Sequence, residues 1–315
     1  MKAWQYVGDG EPITLNEVPE PVAGPGEVVL DVKAAGVCHT DVGHVDGVIS
    51  YLLHAAEGEA RTMGHEIAGI VREVGEGVTD RRVGDRVVVR AAPEGPGTER
   101  DGGFAPLVSV QQELLVPLPD GVPWDQAAVA TDGGMTSYHA VGARAEASPG
   151  LKLGLIGYGG LGSLGVQTAL GRGAVVYVAE VREDRFPEIL AAGVTDVATS
   201  VDAFADVGLD AIVDFAGFGT TTAQAIKTVR GGGRVVLVGL GAQFATIDSS
   251  DLVMRQIELV GSMGGDNEDV AQVLQLMRDG KLVADTAPVT FDKLGDAVDR
   301  LRDGTNVGRA VILFD

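Results

Sequence analysis

Leu155-Ile156-Gly157-Tyr158-Gly159-Gly160-Leu161-Gly162 sets a G-x-G-x-x-G pattern directly behind a β-rich run and at the mouth of a helical stretch. The first glycine permits a tight turn, the second lets backbone approach a pyrophosphate, and the third lets helix and strand pack closely. The helix N-terminus then offers unpaired N–H groups to phosphate oxygens, so Gly157, Gly159, Gly160, Leu161 and Gly162 are expected to cradle a dinucleotide. Glu180 ends the next strand, eighteen residues past Gly162, where a carboxylate accepts bonds from the adenosine ribose hydroxyls. That favours NAD, because a 2′-phosphate would meet the Glu180 charge; Arg182, two residues on, keeps NADP as the second choice. In a chain with 46 glycines such a turn could be loop chemistry alone. The strand before it, the helix after it and the acid at this distance point to nucleotide binding.

Working outward, strand-like runs at 152–157, 174–180, 196–199, 209–214, 234–239 and 257–262 alternate with helical stretches, the pattern of a doubly wound parallel sheet. Upstream, runs at 28–37, 66–78 and 86–90 alternate with Gly-rich turns and describe a β-rich lobe. Residues 91–103, rich in Gly, Pro and charge, read as an exposed loop, and a helix is expected over 130–143. Downstream, Val270, Val273, Leu274 and Met277 share one face of a helix over 267–279, capped by Asn267 and stopped by Gly280. An amphipathic stretch at 294–302 then precedes a strand at 309–313. The tail is expected to return to the first lobe, so the organisation is 1–133, completed by 265–315, around an inserted nucleotide domain at 134–264.

A chain of 315 residues suffices for two such lobes and a cleft. Its formal net charge of −21 disfavours nucleic acid and anionic membranes as partners and leaves small molecules. No apolar signal core follows Met1 and no run of twenty apolar residues could span a bilayer, so a cytoplasmic protein is expected. The single cysteine, Cys38, excludes an internal disulfide and a four-cysteine metal site.

Gly36-Val37-Cys38-His39-Thr40-Asp41 and Gly64-His65-Glu66 each lie beside a β-rich run and offer a thiolate and an imidazole, both good zinc ligands. A third ligand is needed, and Asp132 stands where the chain leaves the first lobe. Three protein ligands would leave one position for a substrate oxygen. The plainer alternatives are a buried hydrophobe for Cys38, a satisfied core histidine for His65 and a helix N-cap for Asp132.

These segments resemble the zinc-containing alcohol dehydrogenases of the medium-chain dehydrogenase/reductase superfamily. The likeness runs over essentially the whole chain, including Val83-Gly84-Asp85-Arg86-Val87, Gly102-Gly103-Phe104-Ala105, the glycine loop and Gly308-Arg309. It implies an α/β chain with a GroES-like β-rich catalytic domain and an inserted Rossmann domain. It further implies that Cys38 and His65 bind a catalytic zinc, with Glu66 close to the metal and Asp41 orienting His65. Asp132 falls where many members carry a cysteine and some bacterial secondary-alcohol dehydrogenases carry aspartate. Thr40 matches the hydroxyl that relays the alcohol proton and His39 a pyrophosphate contact. Thr136 and Val238 match residues at the nucleotide, Arg185 one near the adenosine and Arg309 one near the pyrophosphate.

Two departures stand out. The four-cysteine structural-zinc lobe is replaced by residues 91–103, so one catalytic zinc per chain and no structural zinc is expected. Where relatives place a histidine three residues after the Thr/Ser, this chain has Gly43 and then His44, which leaves His44, water or an exposed loop histidine as alternatives. The implied reaction is zinc- and NAD(H)-dependent interconversion of an alcohol and a ketone or aldehyde, in a homo-oligomer of two or four subunits. Small residues Ala91, Ala92 and Pro93 suggest room for bulky secondary alcohols or ketones. The rival readings are a zinc-free NADPH quinone or enoyl reductase on the same fold, and a non-catalytic nucleotide-binding protein.

Overall fold

Alternate residues of the glycine-loop strand and its neighbours divide between two cores, as strands covered on both faces require. Leu153, Leu155, Val176, Val178, Ala211, Val213 and Val236 pack on one face of a six-stranded sheet, and Ile156, Ala179, Ile212 and Val235 on the other. The computed structural model describes residues 1–49 and 60–314. They divide into two units, Met1–Met135 with Asp266–Asp315, and Thr136–Gly265.

In the second unit all six strands run parallel in the order Asp196–Ala198, Val175–Ala179, Lys152–Ile156, Ala211–Asp214, Arg234–Leu237, Glu258–Gly261. Each lies within one of the six runs read from the sequence, so this is the doubly wound sheet expected there. The strand order reverses direction beside Lys152–Ile156, and ligands bind such sheets at that switch point, outside the strand carboxyl ends. Gly157, Glu180 and Val238 all stand at that end.

The first unit contains the β-rich lobe expected from the sequence. Its larger sheet runs Thr286–Val289, Arg309–Leu313, Glu27–Gly36, Glu66–Val74, Arg86–Val89, Leu115–Pro117, with Leu107–Gln111 also paired to Glu27–Gly36. The tail strand pairs antiparallel with the lobe's longest strand, Val311 opposite Gly36 and Leu313 opposite Ala34. Apolar side chains including Leu30, Met63, Ile67 and Phe104 fill its core. Among the described residues no helix is long and apolar enough to cross a membrane.

Three local expectations need correction. The helix Asn267–Arg278 is capped by Asp266, not Asn267: Asp266 sits in extended backbone and accepts the Asp269 N–H at 2.9 Å, while Asp269 accepts the Asp266 N–H at 3.1 Å. Asn267 instead accepts from Arg90 Nε and donates to the Glu113 carbonyl. Residues 91–103 are not a wholly exposed loop, because Ala92, Gly95, Pro96, Gly97, Gly102 and Gly103 are buried. The helix expected over 130–143 begins earlier, at Trp124–Val129, and Ala130–Gly134 and Ala140–Arg144 are wide π-type turns. Asp132 therefore lies inside a helical turn and is not its N-cap. Such wide turns recur at functional sites because the inserted residue re-aims side chains.

Candidate metal centre and nucleotide loop

Cys38 immediately precedes the short helix His39–Val45, and Asp41 in its first turn accepts the Cys38 N–H at 2.8 Å. The other Asp41 oxygen, fully buried, lies 3.5 Å from His65 Nδ1. One carboxylate thus fixes the backbone of the thiol residue and orients the imidazole, which leaves Nε2 facing the opposite way. His65 stands between Gly64 and the strand Glu66–Val74, and its Nε2 is 3.5 Å from Asp132 Oδ2. The Cys38 sulfur is 3.4 Å from the same oxygen.

The three ligand atoms lie within 4.8 Å of one another. A tetrahedral zinc with Zn–S of about 2.3 Å and Zn–N and Zn–O of about 2.0 Å separates its ligand atoms by roughly 3.3–3.5 Å. Two of the three separations, 3.4 Å from the Cys38 sulfur to Asp132 Oδ2 and 3.5 Å from His65 Nε2 to the same oxygen, match that requirement. The charge state agrees. Burial alone would lower the His65 imidazole, yet Asp41 and Asp132 hold it well above its usual value. Burial alone would raise Asp132, yet His65 and Arg309 keep it well below the usual carboxylate range. The anionic neighbours of His65 favour a proton on its imidazole, and a divalent ion held there would take that proton's place.

Behind this cluster Glu66, fully buried, accepts two bonds from Arg309, at 2.8 Å from Nε and a shorter one from the second guanidinium nitrogen. Its Oε1 also accepts the Gly133 N–H at 3.0 Å, tying Glu66 to the turn that carries Asp132. Burial pushes the Glu66 carboxyl up to about 7 against the pull of Arg309. Arg309 is 3.6 Å from Asp132 Oδ2 as well. The Arg309 guanidinium thus answers two carboxylates of this cluster.

Thr40 is half-buried with its hydroxyl oxygen 3.6 Å from the Cys38 sulfur, and His39 is exposed. His44 departs from both of its readings. It is not an exposed loop residue and not the outer end of a relay to solvent, for its side chain is fully buried on the inner face of His39–Val45 and neither ring nitrogen has a hydrogen-bond partner. Burial depresses it to about 4. The one-residue shift from Gly43 to His44 turns the side chain by about 100° around a helix, which is enough to carry it from the outer face to the inner one.

In the second unit Gly157 has φ +89° and donates to the Ala179 carbonyl at 2.8 Å, making the turn out of Lys152–Ile156. A methyl group on Gly162 would overlap the Gly157 carbonyl, whereas one on Gly159 would meet nothing within 4 Å. Gly162 is thus a packing glycine, and Gly159 faces the space through which a phosphate would approach. Gly160–Gly171 forms the helix whose N-terminus follows, and Leu161 is in its first turn. Glu180 is buried and accepts the N–H groups of Tyr158 (2.8 Å) and Arg182 (3.0 Å), each oxygen keeping a lone pair. Arg185 donates to the Tyr158 carbonyl at 2.6 Å, stacks over the Tyr158 ring at 4.9 Å and pairs with Glu188. Thr136 is buried at the start of this unit, and Val238 follows the strand Arg234–Leu237.

Two residues of this unit escaped the sequence reading. The Ser137 hydroxyl donates to the Leu161 carbonyl at 2.8 Å and anchors the glycine-loop helix. Asp214, fully buried, accepts the Ala216 and Gly217 N–H groups and the Thr221 and Thr222 hydroxyls, holding the turn beside the crevice. Only the D-x-x-x-x-x-x-T-T spacing hinted at the second.

Residues 24–120 match the family described as alcohol dehydrogenase GroES-like domain, and residues 160–279 the one described as zinc-binding dehydrogenase. An alcohol dehydrogenase of Geobacillus stearothermophilus is 29% identical over 349 residues, covering 100% of both chains. A cobalt- and zinc-bound thermostable alcohol dehydrogenase of Pyrobaculum aerophilum superposes with a TM-score of 0.88 at 28% identity, over 100% of this chain and 99% of its own. An acetophenone reductase of Geotrichum candidum, solved in complex with NAD, gives 0.87 at 29% identity over 99% and 97%.

Proposed function

Because the chain belongs to the zinc-type alcohol dehydrogenases of the medium-chain dehydrogenase/reductase superfamily, we propose that it is an NAD(H)-dependent oxidoreductase interconverting an alcohol and its carbonyl compound, with one zinc held by Cys38, His65 and Asp132. The observation that carries this reading is the convergence of a sulfur, an imidazole nitrogen and a carboxylate oxygen, 94 residues apart at the extremes, at the spacing of a tetrahedral zinc.

Zinc bound there supplies a Lewis acid that makes an alcohol hydroxyl more acidic, and NAD bound at the glycine loop supplies the hydride acceptor. The chain's own residues do the rest. Asp41 keeps His65 in the tautomer whose Nε2 lone pair is free, through its contact with Nδ1. Thr40 Oγ1, beside the Cys38 sulfur, receives the hydroxyl proton of the substrate. With His44 buried, that proton passes on to solvent. Arg309, paired with Glu66, holds that carboxyl in place behind the ligands.

Glu180 at the carboxyl end of Val175–Ala179 supports NAD over NADP, and the Geotrichum relative carries NAD. The small residues Ala91 and Ala92, and the same relative's naming as an acetophenone reductase, support secondary or bulky carbonyl substrates. A cytoplasmic location and a homo-oligomeric state belong to the same proposal.

The test is zinc content per chain together with NADH-linked reduction of a ketone panel, for wild type and Asp132→Ala. We expect one zinc per chain and turnover in the wild type, and loss of both in Asp132→Ala. An Asp132→Ala enzyme that keeps its zinc and its rate overturns the ligand set; a zinc-free wild type that reduces conjugated alkenes overturns the reaction class.

A further inference from the structure

We propose that residues 91–103, the short segment standing where many relatives carry a metal-bound lobe, act as a metal-free clamp that positions the ligand His65 through a seam of glycine backbone; the proposal rests on the zinc reading above. Thr62 and Gly64, two of the three residues that lead into His65, are bonded to the end of this segment, and Met63 between them is bonded to Phe104, which follows it. Thr62 N–H donates to Asp101 Oδ1 at 2.8 Å. In return Gly102 N–H donates to the Thr62 carbonyl, Phe104 N–H to that of Met63 and Gly103 N–H to that of Gly64, each at 2.8 Å.

The contact is closer than hydrogen bonding alone would need. Gly97, at φ +81° in a turn closed by its N–H on the Arg100 carbonyl at 2.8 Å, lies directly against the Gly64–His65 peptide. A methyl group on Gly97 would overlap the Gly64 carbonyl carbon and stand 2.6 Å from His65 N. One on Gly102 would overlap the Gly64 carbonyl oxygen and stand 2.6 Å from Gly97 Cα. Gly64, Gly97 and Gly102 therefore form one backbone-to-backbone seam that no side chain can enter.

The segment is itself braced. The Thr98 hydroxyl shares its single proton between the carbonyls of Ala92 (2.9 Å) and Gly95 (2.8 Å), and Arg100 pairs with Glu27. At its opposite end Ala91 N–H donates to the Thr131 carbonyl at 3.2 Å, one residue before Asp132. A single rigid stretch so spans the backbones of two of the three ligands. Metal ligation tolerates errors of about 0.2 Å, so supports of this kind decide affinity without touching the metal. Gly97, Asp101 and Gly102 are positioning residues, not catalytic ones.

The experiment compares Gly97→Ala with Gly84→Ala in the full chain. Gly84 has φ +93° in the same unit, and a methyl group there meets nothing within 4 Å, so Gly84→Ala carries the backbone strain without the contact. Zinc dissociation constants come from competition with a chromophoric chelator, ligand geometry from the visible band of the cobalt-substituted protein, and fold from the melt of the metal-free protein. We expect Gly97→Ala to bind zinc about tenfold more weakly than Gly84→Ala, with a shifted cobalt band. Asp101→Ala, which spares the seam, should bind about threefold more weakly than wild type. Equal affinities for Gly97→Ala and Gly84→Ala overturn the clamp, and if Gly97→Ala does not fold, wild-type affinity in Asp101→Ala overturns it. A wild-type chain that binds no zinc overturns the zinc reading itself.

Discussion

Asp41→Asn is the substitution that bears most directly on how the ligands are held. One Asp41 oxygen accepts the Cys38 N–H at 2.8 Å and the other lies 3.5 Å from His65 Nδ1, so both positions call for an acceptor. An amide offers one acceptor and one donor. If its NH2 faces Cys38, donor meets donor and the backbone of the thiol residue is displaced. If it faces His65, it donates to Nδ1 and drives the ring's proton to Nε2, the atom needed for the metal. Either way one contact of a fully buried carboxylate is lost, the Cys38 N–H bond or the ionic contact with His65, worth about 1.5–3 kcal/mol. At about 1.4 kcal/mol per factor of ten, zinc should bind roughly 10–100-fold more weakly, the range expected for outer partners of metal ligands. Chelator competition at neutral pH measures it, with a melt of the metal-free protein to show that the fold survives. An Asn variant that holds zinc within about threefold of wild type would refute the reasoning.

Arg309→Ala leaves Glu66 fully buried without its ion-pair partner, so that its carboxyl takes up a proton, and should lower unfolding free energy by about 1–3 kcal/mol in a urea titration; an unchanged stability would contradict the pairing. Gly159→Ala should fold like wild type yet bind NADH roughly tenfold more weakly by fluorescence titration, whereas Gly162→Ala should lower the melting temperature as well, because only the second methyl overlaps protein backbone. The Glu27 carboxyl, despite burial, is held below its usual value by the Ser109 hydroxyl and Arg100. A depressed folded-state value adds stability above the unfolded value near 4.3 and loses it as pH falls through the folded one. Glu27→Gln should therefore be less stable than wild type at neutral pH and indistinguishable from it in acid, by urea melts at the two pH values.

Most of the parallel sheet was legible because strands buried on both faces read as apolar runs and the glycine loop punctuates them. Lys152–Ile156, Arg234–Leu237 and Arg309–Leu313 begin where the apolar runs begin. Leu294–Arg302 follows its amphipathic period from end to end. Depth was harder to read than periodicity. Residues 91–103 have a loop's composition, but glycine permits close packing as readily as it permits turns, and here it does both. His44 is polar in a polar-looking segment, and only its angle around the helix puts it inside. Asp132 and Asp266 show the limit of capping rules: one sits in a wide turn that no residue pattern announces, and the other caps a helix that Asn267 was equally suited to start. The metal ligands could be nominated by residue type, but their meeting depends on pairing between Glu27–Gly36 and Glu66–Val74, a register that neither segment carries alone.

The central claim is that Cys38, His65 and Asp132 close on one metal ion, and cobalt(II) titration of the metal-free protein tests it most directly. The expected result is saturation at one equivalent with an intense tetrahedral visible band and a thiolate charge-transfer band that disappears in Cys38→Ser. A weak octahedral spectrum, or a charge-transfer band that survives in Cys38→Ser, would contradict it.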